Sequence, residues 1–168
     1  MTVSTTFDTP DGPFTLVADD GVVLAAGWTT DVEALVGLVH PGLRPTEVTP
    51  VPDDDPATAG PVAAVRAYYA GDLEAVGRVP VRQRSGEFRE HAWDVLRDVA
   101  PGAPVTYTEY AARAGRPTAV RAAAGACAQN AAALFVPCHR VLRSDGTLGG
   151  FRYGLAVKES LLSRERAA

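Results

Sequence analysis

The hydrophobic pattern changes period partway along the chain. Up to Trp28, apolar and β-branched residues come in short extended runs, Val3–Phe7, Phe14–Ala18 and Val22–Trp28. Thr9-Pro10-Asp11-Gly12 and Asp19-Asp20-Gly21 separate them with the residue types that close tight turns. The spacing predicts a small antiparallel β unit over residues 3–29. Asp31 is placed to cap a short helix through Val39, which Pro41-Gly42 ends. Residues 43–57 hold four prolines and four acidic groups, which predicts an exposed loop with freedom to move. A helix is expected over Pro61–Ala70, with Val62, Val65 and Tyr69 on one face and Gly71 at its C-terminal cap. Val79–Val81 reads as a short edge strand.

Beyond residue 85 the period becomes helical. Phe88, Ala92, Val95, Leu96 and Val99 mark an amphipathic helix over Gly86–Val99, ended by Pro101-Gly102. Thr106-Tyr107-Thr108-Glu109 reads as a capping box, in which Thr106 and Glu109 satisfy each other's orphan amides. A short helix should run from it to about Ala114, broken by Gly115. A second is expected over Thr118–Gln129, so that the pair has the outline of a helix-turn-helix. The second helix is built of alanine and glycine, interrupted by the long side chain of Arg121. Small residues suit close approach to another helix, the commoner case, or to a nucleic-acid groove; the isolated charge favours the groove. A last helix over Gly154–Arg166 is expected to turn Leu155, Leu161 and Leu162 inward. Before it come a turn at Ser144-Asp145-Gly146 and a flexible Gly149-Gly150 pair.

Composition adds bounds. A chain of 168 residues with 46% hydrophobic and 21% charged content is an ordinary globular protein, able to bury a core without disulfide or metal staples. No apolar run approaches the ~20 residues that span a bilayer, and Met1–Thr6 has neither a basic start nor an apolar signal core. A cytoplasmic location is expected, with Cys127 and Cys138 as free thiols. The three histidines are scattered and no C-x-x-C occurs, so no metal site is expected. The net charge of −4 conceals an asymmetry: −9 over residues 1–80 and +5 over residues 81–168. A basic C-terminal half admits nucleic acid as a partner. Of the sixteen basic residues only Lys158 is a lysine.

The chemistry concentrates in Pro137-Cys138-His139-Arg140-Val141, preceded by the apolar run Leu134-Phe135-Val136. An imidazole can help form a thiolate, the reactive state of cysteine. On an extended segment, however, adjacent side chains point to opposite sides, so direct contact needs a turn or a bridging water. A third group should orient the imidazole. Glu165 and Glu159 both qualify, and spacing does not separate them. A buried, inert thiol is the alternative, and on cysteine statistics alone it is favoured.

Pro137–Val141 resembles the active-site signature of the O6-alkylguanine-DNA alkyltransferases, also called methylated-DNA–protein-cysteine methyltransferases. The resemblance extends to Tyr107 in its capped helix, Arg121 seventeen residues before Cys138, Asn130 eight before it, and Lys158–Glu165. It is strong from about Gly86 to Glu165 and weak over residues 1–80. It implies an α/β N-terminal domain, a small antiparallel sheet with helices over residues 1–80. A mainly helical C-terminal domain with a helix-turn-helix would follow over residues 81–168. It further implies repair of double-stranded DNA carrying O6-alkylguanine, by a monomer able to cluster on DNA, with no cofactor and no membrane.

Residue by residue, the resemblance makes Cys138 a single-use nucleophile that takes the alkyl carbon from a guanine flipped out of the stack. His139 would deprotonate it through a water, Glu165 would orient His139, and Asn130 would brace the turn before the cysteine segment. Arg121 would fill the gap left by the base. Tyr107 would press the 3′ phosphate and then donate to the departing guanine, with Thr108, Ala122 and Ser144 also on the DNA. The carbonyls of Cys138 and Val141 would read the exocyclic amine. Residues 149–153, including Phe151 and the Arg152 amide, would wall the base pocket.

Three features depart from the family pattern. Ala131 stands where proline usually follows the hinge asparagine, Ala122-Ala123-Ala124-Gly125 follows the finger arginine, and Phe151 replaces a tyrosine. Cys127 reads as a packing residue near the pocket. The competing classes are weaker. A lesion-binding module without chemistry would lack Cys138. A cysteine hydrolase would need an oxyanion hole that the sequence does not signal. A transcription factor would need polar side chains for major-groove readout, which the alanine-rich helix lacks.

Overall fold

Two residues with left-handed backbone, Asp20 (φ 50°) and Gly21 (φ 77°), make the reversal on which the first sheet is built. In the computed structural model, which describes residues Met1–Ala168, they join β2 (Gly12–Asp19) to β3 (Val22–Gly27). β1 (Thr2–Thr9) pairs antiparallel with β2 along its whole length, from Thr2 opposite Asp19 to Thr9 opposite Gly12. The sheet is not purely antiparallel as expected. The proline-rich stretch contributes β4 (Thr49–Pro50), which pairs parallel with β1 and gives the order β3-β2-β1-β4. Residues 43–57 are therefore an anchored segment rather than a loose loop. Val51 N–H donates to the Ser4 carbonyl at 2.8 Å, and Leu43 and Val48 pack on the core. Proline tolerates this place because an edge strand leaves one side of its backbone unpaired. The expected strand at Val79–Val81 reduces to a single parallel bridge between Val81 and Val23.

β2 is central and buried throughout Phe14–Ala18. Val17, Leu24 and Ala25 meet Leu35 and Val39 of the segment around α1 (Val32–Leu38), whose N-cap Asp31 accepts from Ala34 N–H at 3.0 Å. Phe14 stacks with Phe7, Trp28 and Phe135. α2 (Ala59–Tyr69) buries Val62, Val65 and Tyr68. Tyr68 takes the place expected of Tyr69, because the Tyr69 hydroxyl is needed at the first turn. It donates to Asp11 at 2.7 Å and accepts from the Trp28 indole at 3.0 Å.

The chain forms two compact units. Met1–Arg84 together with Ala131–Phe135 make the first; Ser85–Asn130 with Val136–Ala168 make the second. The five-residue excursion adds Ala132 to the edge of β3 through Ala26 N–H to the Ala131 carbonyl (2.8 Å) and Ala133 N–H to the Ala26 carbonyl (3.1 Å). The apolar run Leu134–Val136 is not a strand, because Leu134 turns the chain with φ 71°.

In the second unit, α3 (Glu87–Arg97) buries Ala92, Trp93 and Leu96, and the Trp93 indole donates to the Ala126 carbonyl at 2.8 Å. β5 (Val105–Thr106) leads into α4 (Tyr107–Arg113) through the expected capping box. Glu109 N–H donates to Thr106 Oγ1 at 3.1 Å, and Thr106 N–H to Glu109 Oε1 at 3.2 Å. Gly115 (φ 88°) closes α4, and α5 (Val120–Ala128) begins two residues later than expected. β6 (Val141–Leu142) pairs parallel with β5. α6 (Leu155–Arg166) turns Lys158, Leu161, Leu162 and Glu165 inward, an i, i+3, i+4, i+7 stripe with a charge at each end. Leu155, expected inside, is 51% exposed at the helix start. No helix is long and apolar enough to cross a membrane.

Candidate active site

The nucleophile segment is held from below by Asn130, the first buried residue after α5. Its N–H donates to the Cys127 carbonyl at 3.3 Å, and its Nδ2 to the Val136 carbonyl at 2.8 Å. The same Val136 carbonyl accepts from Cys138 N–H at 2.8 Å. Pro137 then starts a 3-10 turn over Cys138–Arg140, closed by Val141 N–H on the Cys138 carbonyl. The segment is a turn rather than an extended one, which changes the geometry. Three residues per turn set neighbouring side chains about 120° apart instead of on opposite faces. Cys138 is half-buried and its thiol is hydrogen-bonded by the Asn130 side chain. Burial pushes the thiol up, against the Asn130 hydrogen bond and the positive charges of Lys158 and Arg152. At rest Cys138 is a thiol.

His139 is fully buried one residue on. Its Nε2 lies 2.7 Å from Glu165 Oε2. A carboxylate only accepts, so Nε2 carries the proton and Nδ1 is the free acceptor. Nδ1 is buried and has no hydrogen-bond partner. Burial holds the imidazole below its ordinary range, outweighing the hydrogen bond and charge of Glu165. His139 is thus neutral and able to receive a proton. Glu165 is shared: Arg140 Nε donates to Oε1 at 2.8 Å, Arg140 Nη2 to Oε2 at 3.2 Å, and Arg140 Nη1 to the Val99 carbonyl at 2.8 Å. Burial alone would raise Glu165, but His139 and Arg140 overcome it and hold the carboxyl at about 2. Glu159, the competing orienter, is exposed.

Around the thiol, α4 supplies Tyr107 and Tyr110. Burial pushes Tyr107 up to about 12, with Cys127 and Cys138 adding to the effect and Arg143 opposing it. Tyr110 is also raised by burial, and its hydroxyl donates to the Ala92 carbonyl at 2.6 Å. Tyr153 is likewise pushed up by burial to about 12 and feels the Cys138 charge. Its ring meets Phe151 edge-on with centroids 5.7 Å apart. Gly149 (φ 71°) leaves room for Tyr107 and Arg143: a Cβ there would lie 3.3 Å from Arg143 Cγ. The Arg152 side chain bonds the Ala128 carbonyl. Lys158 is buried, donating to the Val141 carbonyl at 2.8 Å and the Gly150 carbonyl at 3.3 Å.

The structure therefore brings Cys138, Asn130, His139 and Glu165 into one connected set and places Tyr107 and Tyr153 within electrostatic reach of the thiol. Thr108 and Ser144 form a separate exposed pair, hydroxyl to hydroxyl at 2.8 Å. Arg121 and Ala122 are exposed on the first turn of α5. The sequence reading gave Arg140 and Lys158 no individual role, and Tyr153 only a place within the 149–153 pocket wall. The quoted motif includes Arg140, but an arginine is ordinarily read as solvated; only its partners at Val99 and Glu165 show otherwise. No group of three His, Cys, Asp or Glu side chains is placed to hold a metal ion.

A family model described as "6-O-methylguanine DNA methyltransferase, DNA binding domain" matches residues 87–167. The bifunctional transcriptional activator/DNA repair enzyme Ada of Escherichia coli is 46% identical over 87 residues, 52% of this chain; the chain spans only 25% of Ada's length. The methylated-DNA–protein-cysteine methyltransferase of Mycobacterium tuberculosis is 35% identical over 162 residues, covering 96% of this chain and 91% of that one. The fold agrees with that of Mycobacterium tuberculosis OGT crystallised with DNA. The TM-score is 0.78 at 30% identity, over 98% of this chain and 93% of that one. With the cysteine signature, the buried His139–Glu165 pair and a relative aligned almost end to end, the chain belongs to the methylated-DNA–protein-cysteine methyltransferase family.

Proposed function

We propose that this protein repairs O6-alkylguanine in double-stranded DNA by moving the alkyl group to Cys138, once per molecule. The observation that carries this reading is the connected set Asn130–Cys138–His139–Glu165–Arg140. It places a thiol next in the chain to a neutral, oriented base whose outer nitrogen has no protein partner. A water between Nδ1 and the thiol would pass the proton to His139, and Glu165 would stabilise the imidazolium. The thiolate then attacks the alkyl carbon in line with the guanine oxygen. An S–C bond forms, the C–O bond breaks, and the electron pair leaves on guanine. Tyr107, kept protonated by burial, supplies the proton that neutralises the departing base. The phenolate is reprotonated from solvent, and the imidazolium loses its proton there. A thioether is not hydrolysed under mild conditions, so Cys138 is spent.

Delivery of the base rests on the second unit. α4 and α5 act as a helix-turn-helix in this reading, with the small-residue face of α5 against the minor groove. Arg121 enters the stack where the flipped base has left it, and Thr108, Ala122 and Ser144 contact the backbone. The Cys138 and Val141 carbonyls, Phe151 and the Arg152 amide form the base pocket. The first unit, with its sheet, is the support.

The test is an intact mass after incubation with a duplex containing O6-methylguanine. One methyl adduct on Cys138 with no further turnover is expected; unmodified protein sinks the reading, and repeated turnover sinks the single-use mechanism. In the same assay Arg121→Ala should slow duplex repair more than reaction with free O6-benzylguanine. Equal losses would remove Arg121 from the finger role.

A further inference from the structure

Lys158 is a buried ammonium with no carboxylate partner. It is 1% exposed and bonds only two neutral carbonyls, those of Val141 and Gly150. Burying a cation without a counter-charge is costly, so a negative charge that forms beside one is stabilised strongly. An ammonium has three donors, and the two carbonyls leave one unused. Sequence usage sharpens the point. Every other basic position in the chain is arginine, and the one lysine is here. A guanidinium would put a planar fork of five donors where a compact charge with three is enclosed.

Val141, whose carbonyl Lys158 holds, closes the turn of Cys138, and the charge that Cys138 acquires on ionisation acts on the lysine more strongly than that of Cys127. The other groups facing the thiol do not supply a fixed buried cation. Asn130, Tyr107, Tyr110, Tyr153 and Cys127 are neutral at rest, and Arg152 and Arg143 lie on exposed residues. Glu165 is already matched by Arg140. Burial lowers Lys158, while charge at Cys138 and then Cys127 raises it, so the lysine and the thiol are coupled in both directions.

We propose that Lys158 is a positioning residue for the transfer, clamping the Val141 and Gly150 carbonyls and serving as the counter-charge of the Cys138 thiolate. The assignment deepens the alkyl-transfer reading above and rests on it. The thiol proton goes to His139, while Lys158 keeps its own protons throughout. As the S–C bond forms and the C–O bond breaks, negative charge passes from sulfur to the departing guanine beside the same ammonium. The alkylated protein keeps the cation but has lost its partner.

Two measurements test this without DNA. In the first, Cys138 is carbamidomethylated by iodoacetamide across a pH series and followed by peptide mass, in wild type and Lys158→Met. The variant should react about tenfold slower at pH 7, its inflection moved up by about one pH unit, with the two rates converging in alkali. A folded variant with the wild-type profile overturns the counter-charge. The second uses the wild-type protein and so does not depend on the variant's folding. Labelling with 13Cε-lysine gives a single resonance. It should show an inflection at the ionisation of the thiol and lose it once Cys138 is carbamidomethylated. A resonance that titrates identically before and after modification overturns the coupling. Failure of the repair reading itself would appear elsewhere, as a missing methyl adduct, and would leave both readouts intact.

Discussion

Glu165 accepts from two buried donors at once, and this makes it the most exacting single residue of the site. His139 Nε2 and the Arg140 fork converge on its two oxygens. Glu165→Gln turns one oxygen into a donor and leaves Arg140 a buried charge without its partner. Breaking a buried pair in this way costs about 3–5 kcal/mol, and denaturant unfolding of the variant should show it, together with slower alkyl transfer. A loss below about 1 kcal/mol would mean that the pair behaves as a solvated one. Spacing left Glu165 and Glu159 equivalent. What separates them is the phase of α6: Lys158, Leu161, Leu162 and Glu165 share the buried stripe and Glu159 does not. A helical wheel could have placed Glu165 there, but with charges at both ends the stripe does not read as apolar. Arg140 and Lys158 were illegible for the same reason. Their burial depends on carbonyls 41 and 17 residues away, which no local pattern encodes.

Local signals with their own hydrogen bonds were read well. The Thr106–Glu109 capping box and the turn at Asp19-Asp20-Gly21 are written in adjacent residues and appear as expected. The capping box also has a functional position, since the helix it starts opens with Tyr107. Thr106→Ala removes one of its two bonds and should cost about 1 kcal/mol. A thermal midpoint lowered by a few degrees, with slower repair of duplex, would reveal both effects; an unchanged midpoint would show that the cap is redundant. Non-local elements were the ones missed. β4 exists because Ser4 and Val51 meet across nearly fifty residues, and proline-rich composition pointed the other way. The turn before the nucleophile fails as a strand at Leu134, whose φ of 71° no propensity for leucine anticipates. Leu155 illustrates the reverse error: an apolar residue at a helix start, counted as core and found exposed.

At the scale of the whole molecule, the site sets an acid limit on stability. Glu165 has its pKa depressed from 4.5 to about 2, so its contribution is present above pH 4.5 and is lost as the pH falls through about 2. His139 is also depressed, from 6.5. The unfolded chain gains a proton below that value that the folded chain resists, and stability declines as the pH falls through it. Both act in the same direction. Denaturant midpoints measured from pH 7.5 downward should begin to fall near pH 6.5, and a His139→Gln variant should lack that first decline. A flat profile to pH 5 would show that the imidazole is protonated in the folded state.

The path of the chain before the thiol has a consequence for synthesis. Ala131–Phe135 lie with the first unit, while Asn130 and Val136 on either side lie with the second and are bonded to each other. The lead-in to Cys138 is thus seated by pairing with Ala26, more than a hundred residues earlier in translation order. Since domains fold from the N-terminus as they emerge, the sheet is waiting when residue 131 leaves the ribosome. The reactive turn is completed only on a chain whose first half has already passed through folding. The hydrogen-bonded turn that carries Cys138 is in this way assembled after the sheet that seats its lead-in.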